Sequence, residues 1–234
     1  MPFEMGKLIS LQTLGLFVVG KESDCGITEL KDLQHLKGEL VIYRLEHVKN
    51  AKDARSSNLI LKHHLQSLDL CWVSGSPDTE EEEKAQILVG EGLQPHPNLK
   101  TLTVYGYGGA RFPHWLGVEV SSCLPNLVKI TLMECHKCEH LPQLGELPLL
   151  RILELRSMDS VRCISEFYHH GDQGIPFFPS LEKLSIYHMY HFGEFSSPMP
   201  LVPSSTRSLS GNQLRSIKSE DQAQVSSPSN SRNL

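Results

Sequence analysis

Apolar positions recur along this chain in one spacing, Leu-x-x-Leu-x-(Leu/Ile/Val), with mostly polar residues between them. The pattern falls at Leu11-Leu14-Leu16, Leu65-Leu68-Leu70, Leu99-Leu102-Val104, Leu127-Ile130-Leu132, Leu150-Leu153-Leu155 and Leu181-Leu184-Ile186. A weaker copy has Lys37 in the first place, followed by Leu40 and Ile42. Counted from these first positions, the steps are 26, 28, 34, 28, 23 and 31 residues. A recurrence of this kind marks units that cannot bury an apolar face alone and must stack on their neighbours. Within each copy the apolar/polar alternation predicts a short strand with one side turned inward. The expectation is a solenoid of about seven repeats over residues 1–195.

The period matches that of leucine-rich repeats, ~20–29 residues with insertions in the crossings. The fold class expected is therefore α/β, a leucine-rich-repeat solenoid. It should be a horseshoe segment with a parallel sheet on its concave side and irregular or helical crossings on its convex side. Asn50 to His64 reads as one helix, with Ala51, Ala54, Leu59 and Leu61 apolar and no Gly or Pro. Thr79 to Val89 reads as another. Asp78 or Thr79 would cap it, and Glu80 to Glu83 lie where the helix dipole favours negative charge. Gly90 and Gly92 would end it. Leu141 to Pro148 is too rich in proline for a helix and predicts irregular or 3₁₀ turns. Met1 to Leu8 reads as the same kind of crossing, so the chain starts inside a repeat and resembles a fragment of something longer. The periodicity stops near Phe195. Residues 196–234, rich in Ser, Pro, Asn, Gln and Arg, have too few apolar positions to offset ordering entropy and predict a disordered tail.

Charge changes this picture mainly by exclusion. With 22 basic and 27 acidic residues the net charge is −5, and no basic cluster marks a nucleic-acid partner. No apolar run of ~18 residues could span a bilayer, so no membrane partner is expected, and no signal segment opens the chain. No asparagine sits in an Asn-x-Ser/Thr sequon. These features favour a reduced, cytoplasmic setting, with the 6 cysteines as thiols.

Candidate chemistry yields to the repeat wherever it arises. Gly15-Leu16-Phe17-Val18-Val19-Gly20-Lys21 resembles a phosphate-binding loop, but Glu22 stands where Ser or Thr must hold Mg²⁺. A strand running into a turn accounts for it better. Cys135 and Cys138 suggest zinc, yet a structural site needs a second ligand pair and none is present. Cys135 falls at the ninth repeat position, where Asn or Cys turns inward and bonds the backbone. The doublets His63-His64 and His169-His170 have no matching ligand spacing, and no nucleophile or carboxylate pair appears in a catalytic context. No cofactor, metal or enzymatic activity is expected. Trp72 and Trp115 read as packing residues.

The side chains between the leucines carry more information. Strict alternation sends the residue after each final leucine outward: Phe17, Tyr43, Cys71, Tyr105, Met133, Arg156 and Tyr187. A second outward row reads Gly15, Val41, Asp69, Thr103, Thr131, Glu154 and Ser185. Aromatic residues, Met and Arg are enriched at the energetic centres of protein interfaces. Cross-strand stacking for stability is the competing explanation. The expected protein-binding residues on the concave face are Tyr43, Asp69, Tyr105, Met133, Glu154, Arg156 and Tyr187.

The wording around the leucines also resembles a family. Gly38-Glu39-Leu40-x-Ile42-x-x-Leu45-Glu46-x-Val48-x-x-Ala51 and Leu65-x-x-Leu68-x-Leu70-x-Trp72 are similar to repeats of plant intracellular immune receptors of the nucleotide-binding, leucine-rich-repeat type. So are Leu93-Gln94-Pro95-His96-Pro97-Asn98-Leu99-Lys100-x-Leu102, Tyr107-Gly108-Gly109, Phe112-Pro113-x-Trp115-Leu116 and Cys135-x-x-Cys138-x-x-Leu141-Pro142-x-Leu144-Gly145-x-Leu147-Pro148. The likeness covers about residues 1–195 and is to the coiled-coil, disease-resistance branch. It implies non-catalytic protein recognition in plant innate immunity, with a pathogen effector or a guarded host protein as partner. A regulatory fragment that binds a nucleotide-binding switch domain is the alternative, and an adaptor presenting substrates to a ubiquitin ligase a further one. No nucleotide-binding segment is present in the chain, a departure from the family pattern.

Overall fold

A computed structural model describes residues 4–21, 25–73, 77, 79–161 and 178–189. The expected tail at 196–234, the pair His169-His170, Cys163 and Asp78 lie outside the described residues. Within them the repeats form one parallel sheet in sequence order: β1 (Leu16–Val18), β2 (Lys37–Tyr43), β3 (His64–Cys71), β4 (Thr101–Tyr105), β5 (Lys129–Met133), β6 (Ile152–Arg156) and β7 (Lys183–Tyr187). Each strand pairs only with its chain neighbours, and the sheet does not close on itself. This is a leucine-rich-repeat solenoid.

Register explains why. Leu68 pairs with Leu102, Leu102 with Ile130, and Ile130 with Leu153. Leu70, Val104, Leu132 and Leu155 form a second inward row in the same way. All eight are buried. Their stacking makes a continuous apolar stripe in which each fully buried aliphatic side chain contributes about 1.5–3 kcal/mol.

The first rung departs from the expected frame by one residue. Leu16 pairs with Val41, Phe17 with Ile42 and Val18 with Tyr43. Phe17 is therefore inward and 0% exposed, whereas Leu16 is outward and 49% exposed. A one-residue slip exchanges the two sides of a strand. Here it buries the larger Phe17 together with Val19, in place of Leu16 and Val18. In the second rung, Lys37 stays exposed and Leu36 fills the core behind it. A register shift at Gly38, whose φ is +78°, absorbs the mismatch.

The crossings vary. The helix expected over 50–64 is shorter than that: α1 spans Ala51–Ser56, capped by the Asn50 side chain accepting from Asp53 N at 2.9 Å. The hydroxyl of Ser57 donates to Ala54 O, and Asn58 then turns left-handed at φ +53°. A 3₁₀ turn over Leu59–Leu61 follows, because β3 must begin at His64. The second helix, α2, runs over Glu80–Glu91, with Thr79 Oγ1 accepting from Glu82 N at 3.2 Å and Gly92 ending it. A short α3 spans Val120–Cys123. The proline-rich segment is a 3₁₀ turn over Leu144–Glu146, and Met5–Lys7 is another. No helix among the described residues is long and apolar enough to cross a membrane.

Candidate functional site

The side of the sheet opposite the core is lined by three side-chain rows, each read off the strand register. The row at the carboxyl ends of the strands is Val18, Tyr43, Cys71, Tyr105, Met133, Arg156 and Tyr187. The middle row is Leu16, Val41, Asp69, Thr103, Thr131, Glu154 and Ser185. Every one of the seven expected residues, Tyr43, Asp69, Tyr105, Met133, Glu154, Arg156 and Tyr187, stands in one of these rows. The correction falls on the first rung, where Val18 and Leu16 replace Phe17 and Gly15 because of the slip in β1. Strands ~4.8 Å apart bring neighbouring members of a row into side-chain contact range.

A third row escaped the sequence reading: Glu39, Ser67, Thr101, Lys129, Ile152 and Lys183. The signal was available, since carrying the alternation one step back from the middle row reaches these positions. It adds the charges that organise the face. The Glu154 carboxylate receives Lys129 Nζ at 3.0 Å, Lys183 Nζ at 3.2 Å and Thr131 Oγ1 at 3.2 Å. Burial raises the Glu154 pKa, but the two lysines outweigh it and hold the carboxyl below its ordinary value. At Asp69, burial dominates and raises the carboxyl, with Glu39 adding to the rise while Thr103 and Lys129 oppose it. Cys71 is pushed up to about 11 by burial, with Asp69 adding to it, so its thiol is protonated at neutral pH.

A repeated bend fixes the carboxyl-end row. The residue after each outward side chain is left-handed at Arg44, Gly106, Glu134, Ser157 and His188. At several rungs its N–H continues the ladder, as from Gly106 N to Met133 O and from Glu134 N to Arg156 O, both 2.9 Å. Glu134 serves a second purpose there. Its carboxylate accepts from the Tyr105 hydroxyl at 2.7 Å, which raises the phenol pKa and anchors the ring on the face. Arg156 differs: its guanidinium makes no ion pair or hydrogen bond with any described residue, and it is exposed.

Beyond the strand ends, between the bends and α2, lies a cleft of about 900 Å³ with Arg44, Leu45, Trp72 and Val89 among its walls. Trp72 is buried and edge-on to Tyr107, their ring centroids 5.2 Å apart. Its Nε1–H has no hydrogen-bond partner among the described residues. Trp115 Nε1 instead donates to Gly90 O at 2.9 Å, tying its crossing to α2.

The remaining candidates are structural. Cys135 is buried with its thiol 3.4 Å from Met133 O, and Cys138 donates to Gly109 O at 3.1 Å. Burial pushes the Cys135 thiol up to about 12. The His63 and His64 rings touch at a tilt of 46° with centroids 4.0 Å apart, and His63 Nδ1 lies 3.2 Å from Leu61 O. Among the described residues no group of three or more His, Cys, Asp or Glu side chains is placed to hold a metal ion.

A family model for the R13L1/DRL21 leucine-rich repeats matches residues 27–158. The chain is 39% identical over 186 residues to the disease resistance protein RGA2 of Solanum bulbocastanum, covering 78% of this chain and 19% of that protein. It is likewise 39% identical over 191 residues to RGA4 of the same species, and 36% identical over 164 residues to the disease resistance RPP13-like protein 1 of Arabidopsis thaliana. These cover 80% and 67% of this chain, but 18% and 15% of those proteins. The chain thus spans less than a fifth of the length of these relatives. The leucine-rich repeat domain of the type III effector XopL aligns at TM-score 0.33 and 14% identity, covering 81% of this chain and 57% of that one. At that level it adds nothing to what the sheet itself shows.

Proposed function

The chain belongs to the R13L1/DRL21 leucine-rich-repeat family of plant disease-resistance proteins, and on that premise we propose that its open sheet face is a non-catalytic recognition surface for a pathogen effector or a guarded host protein. The repeat region is taken as 1–195 with 196–234 as a tail, and the working compartment as the cytoplasm. One observation carries the proposal. A row of Tyr43, Tyr105, Met133, Arg156 and Tyr187 faces away from the core, where a sheet without a partner would more often carry Thr, Lys, Glu and Gln. Cross-strand packing alone explains the row less well, because Tyr43, Arg156 and Tyr187 remain exposed. Asp69 and Glu154 in the middle row would set register through charge.

Site-specific cross-linking in leaf tissue tests it. Met133→p-benzoylphenylalanine on the open face should yield a protein adduct. Ile60→p-benzoylphenylalanine, on an exposed crossing turn, should not. The adduct should vanish when Tyr105→Ala and Arg156→Ala are combined, with the circular-dichroism spectrum unchanged. Adducts of equal yield from position 60, or adducts indifferent to the double substitution, would rule out the open face as the site.

A further inference from the structure

The open face is divided by charge along the stacking direction. Over β1–β3 its outward side chains are Leu16, Val18, Glu39, Val41, Tyr43, Ser67, Asp69 and Cys71: two carboxylates and no cation. β4 contributes only Thr101, Thr103 and Tyr105. Over β5–β7 the charged outward residues are Lys129, Arg156 and Lys183 against Glu154 alone. Because Glu154 is shared by the two lysines, the cationic half keeps one surplus lysine charge and the Arg156 guanidinium, which pairs with no carboxylate among the described residues. The neighbouring charges do not undo the division. Lys37, at the start of β2, donates to Gln12 Oε1, Arg44 lines the cleft beyond the strand ends, and Glu134 is bonded to Tyr105. Arg151 and Glu182 pair with each other at 3.6 Å.

We infer that the partner segment crossing this face is itself charge-divided, an extended polypeptide with a basic end over Glu39 and Asp69 and an acidic end over Lys129, Arg156 and Lys183. This rests on the face being the recognition surface, and it adds which chemistry the face selects and in which orientation. Asp69 on β3 and Arg156 on β6 are three strand spacings apart, or about 14 Å. An extended chain covers that span in about four residues, at ~3.3 Å each. The neutral strip on β4, with the Tyr105 ring held by Glu134, would lie under the apolar centre of such a segment. Like charges placed over either half would be repelled, so the pattern rejects as well as selects.

The test uses the full chain and a synthetic peptide of about eight residues, two lysines at one end, two glutamates at the other and Ser-Leu-Leu-Ser between. The control peptide has the same composition with its charges alternating. At about 50 mM salt the block peptide should bind at least about tenfold more tightly by fluorescence anisotropy, a gap that closes near 0.5 M. Arg156→Glu or Asp69→Lys alone should each weaken block-peptide binding about tenfold. The double exchange should erase the preference for the block peptide altogether, because it leaves each half of the face without net charge. Equal affinity of the unsubstituted chain for the two peptides, or single substitutions without effect, would overturn the inference. Adducts at position 133 that persist in that event would leave the recognition face standing and remove only its charge division.

Discussion

The two sides of each repeat obey different demands. On the sheet side, every rung must present apolar side chains at fixed alternate positions, because the neighbouring rung stacks on each of them. On the crossing side, the chain need only return to the next strand with its backbone groups bonded. A turn of three residues, Leu144–Glu146, serves between β5 and β6, whereas the twelve-residue α2 serves between β3 and β4. The longer crossing is stitched in by side-chain to backbone bonds: Gly108 N to Gln86 Oε1, His114 N to Glu91 Oε1 and Trp115 Nε1 to Gly90 O, all 2.9 Å. Stability should thus concentrate in the rungs, and variation between repeats in the crossings.

The largest expected effect tests the rung side. Leu102 stacks between Leu68 and Ile130 and is fully buried. Leu102→Ala should cost about 3–5 kcal/mol by urea unfolding, since both neighbours lose contacts and the gap cannot collapse. Ile60→Ala, on an exposed turn of a crossing, should stay within about 0.5 kcal/mol. Losses of similar size at both positions would break the contrast.

Next comes the bend that joins the two sides. Gly106 has φ +68°, and a Cβ there would stand 2.2 Å from Trp72 O. The left-handed conformation alone disfavours a side chain by about 1–2 kcal/mol. The collision with backbone adds to this, so Gly106→Ala should cost about 2–4 kcal/mol in all. At the equivalent bends Arg44, Glu134, Ser157 and His188 carry side chains, so conformation by itself is tolerated there. Glu134→Gly should therefore keep the fold while releasing the Tyr105 ring, visible as a lowered phenol pKa in ultraviolet titration.

What was legible in the residues follows the same division. The inward leucines and the seven face residues could be located because strand alternation has period two and the stacking partners are alike. The slip in β1 was not legible, since Leu16 and Phe17 are both apolar and only the neighbouring strand decides which one it covers. Nor was the break at Asn58, because no residue from Ala51 to Leu61 forbids a helix; the position of β3 imposes it. The ion cluster at Glu154 depends on side chains from β5, β6 and β7 converging, a fact of register rather than of any one repeat. The open N–H of Trp72 had no signal in the sequence, where the ring reads only as packing.

A buried cation gives the next smaller effect, on the crossing side. Lys62 is fully buried and donates to Leu30 O at 2.7 Å and Leu33 O at 3.1 Å, pinning one crossing to the previous one. Burial lowers its pKa to about 8, against a partial rise from Asp32. Lys62→Met keeps much of the stem but leaves the Leu33 carbonyl without this donor, at a cost of about 1–3 kcal/mol. Between pH 8 and 10.5 the unfolded chain holds the proton that the folded chain has released, so this residue's contribution rises with pH. The raised thiol of Cys71 works in the opposite direction above pH 9, so the informative quantity is the difference between the wild type and the variant. That difference should grow from pH 8 to 10; a flat difference would mean Lys62 titrates as it does in water.

The smallest effect concerns the cap of the inserted crossing. Thr79 Oγ1 accepts from Glu82 N at 3.2 Å, and Glu80 to Glu83 occupy the first turn of α2. Both features stabilise the same helix end, one by satisfying an N–H and the other through the helix dipole. Thr79→Ala should cost about 1 kcal/mol, because four carboxylates at the end remain in place and water can reach the freed N–H. The loss should be local: amide exchange should quicken at Glu82 and Glu83, while that of Leu102 and Ile130 in the rungs stays unchanged. Exchange that quickens equally in β4 and β5 would show the crossing and the sheet opening as one unit, and the separation between the two sides of the repeat would then be one of sequence alone.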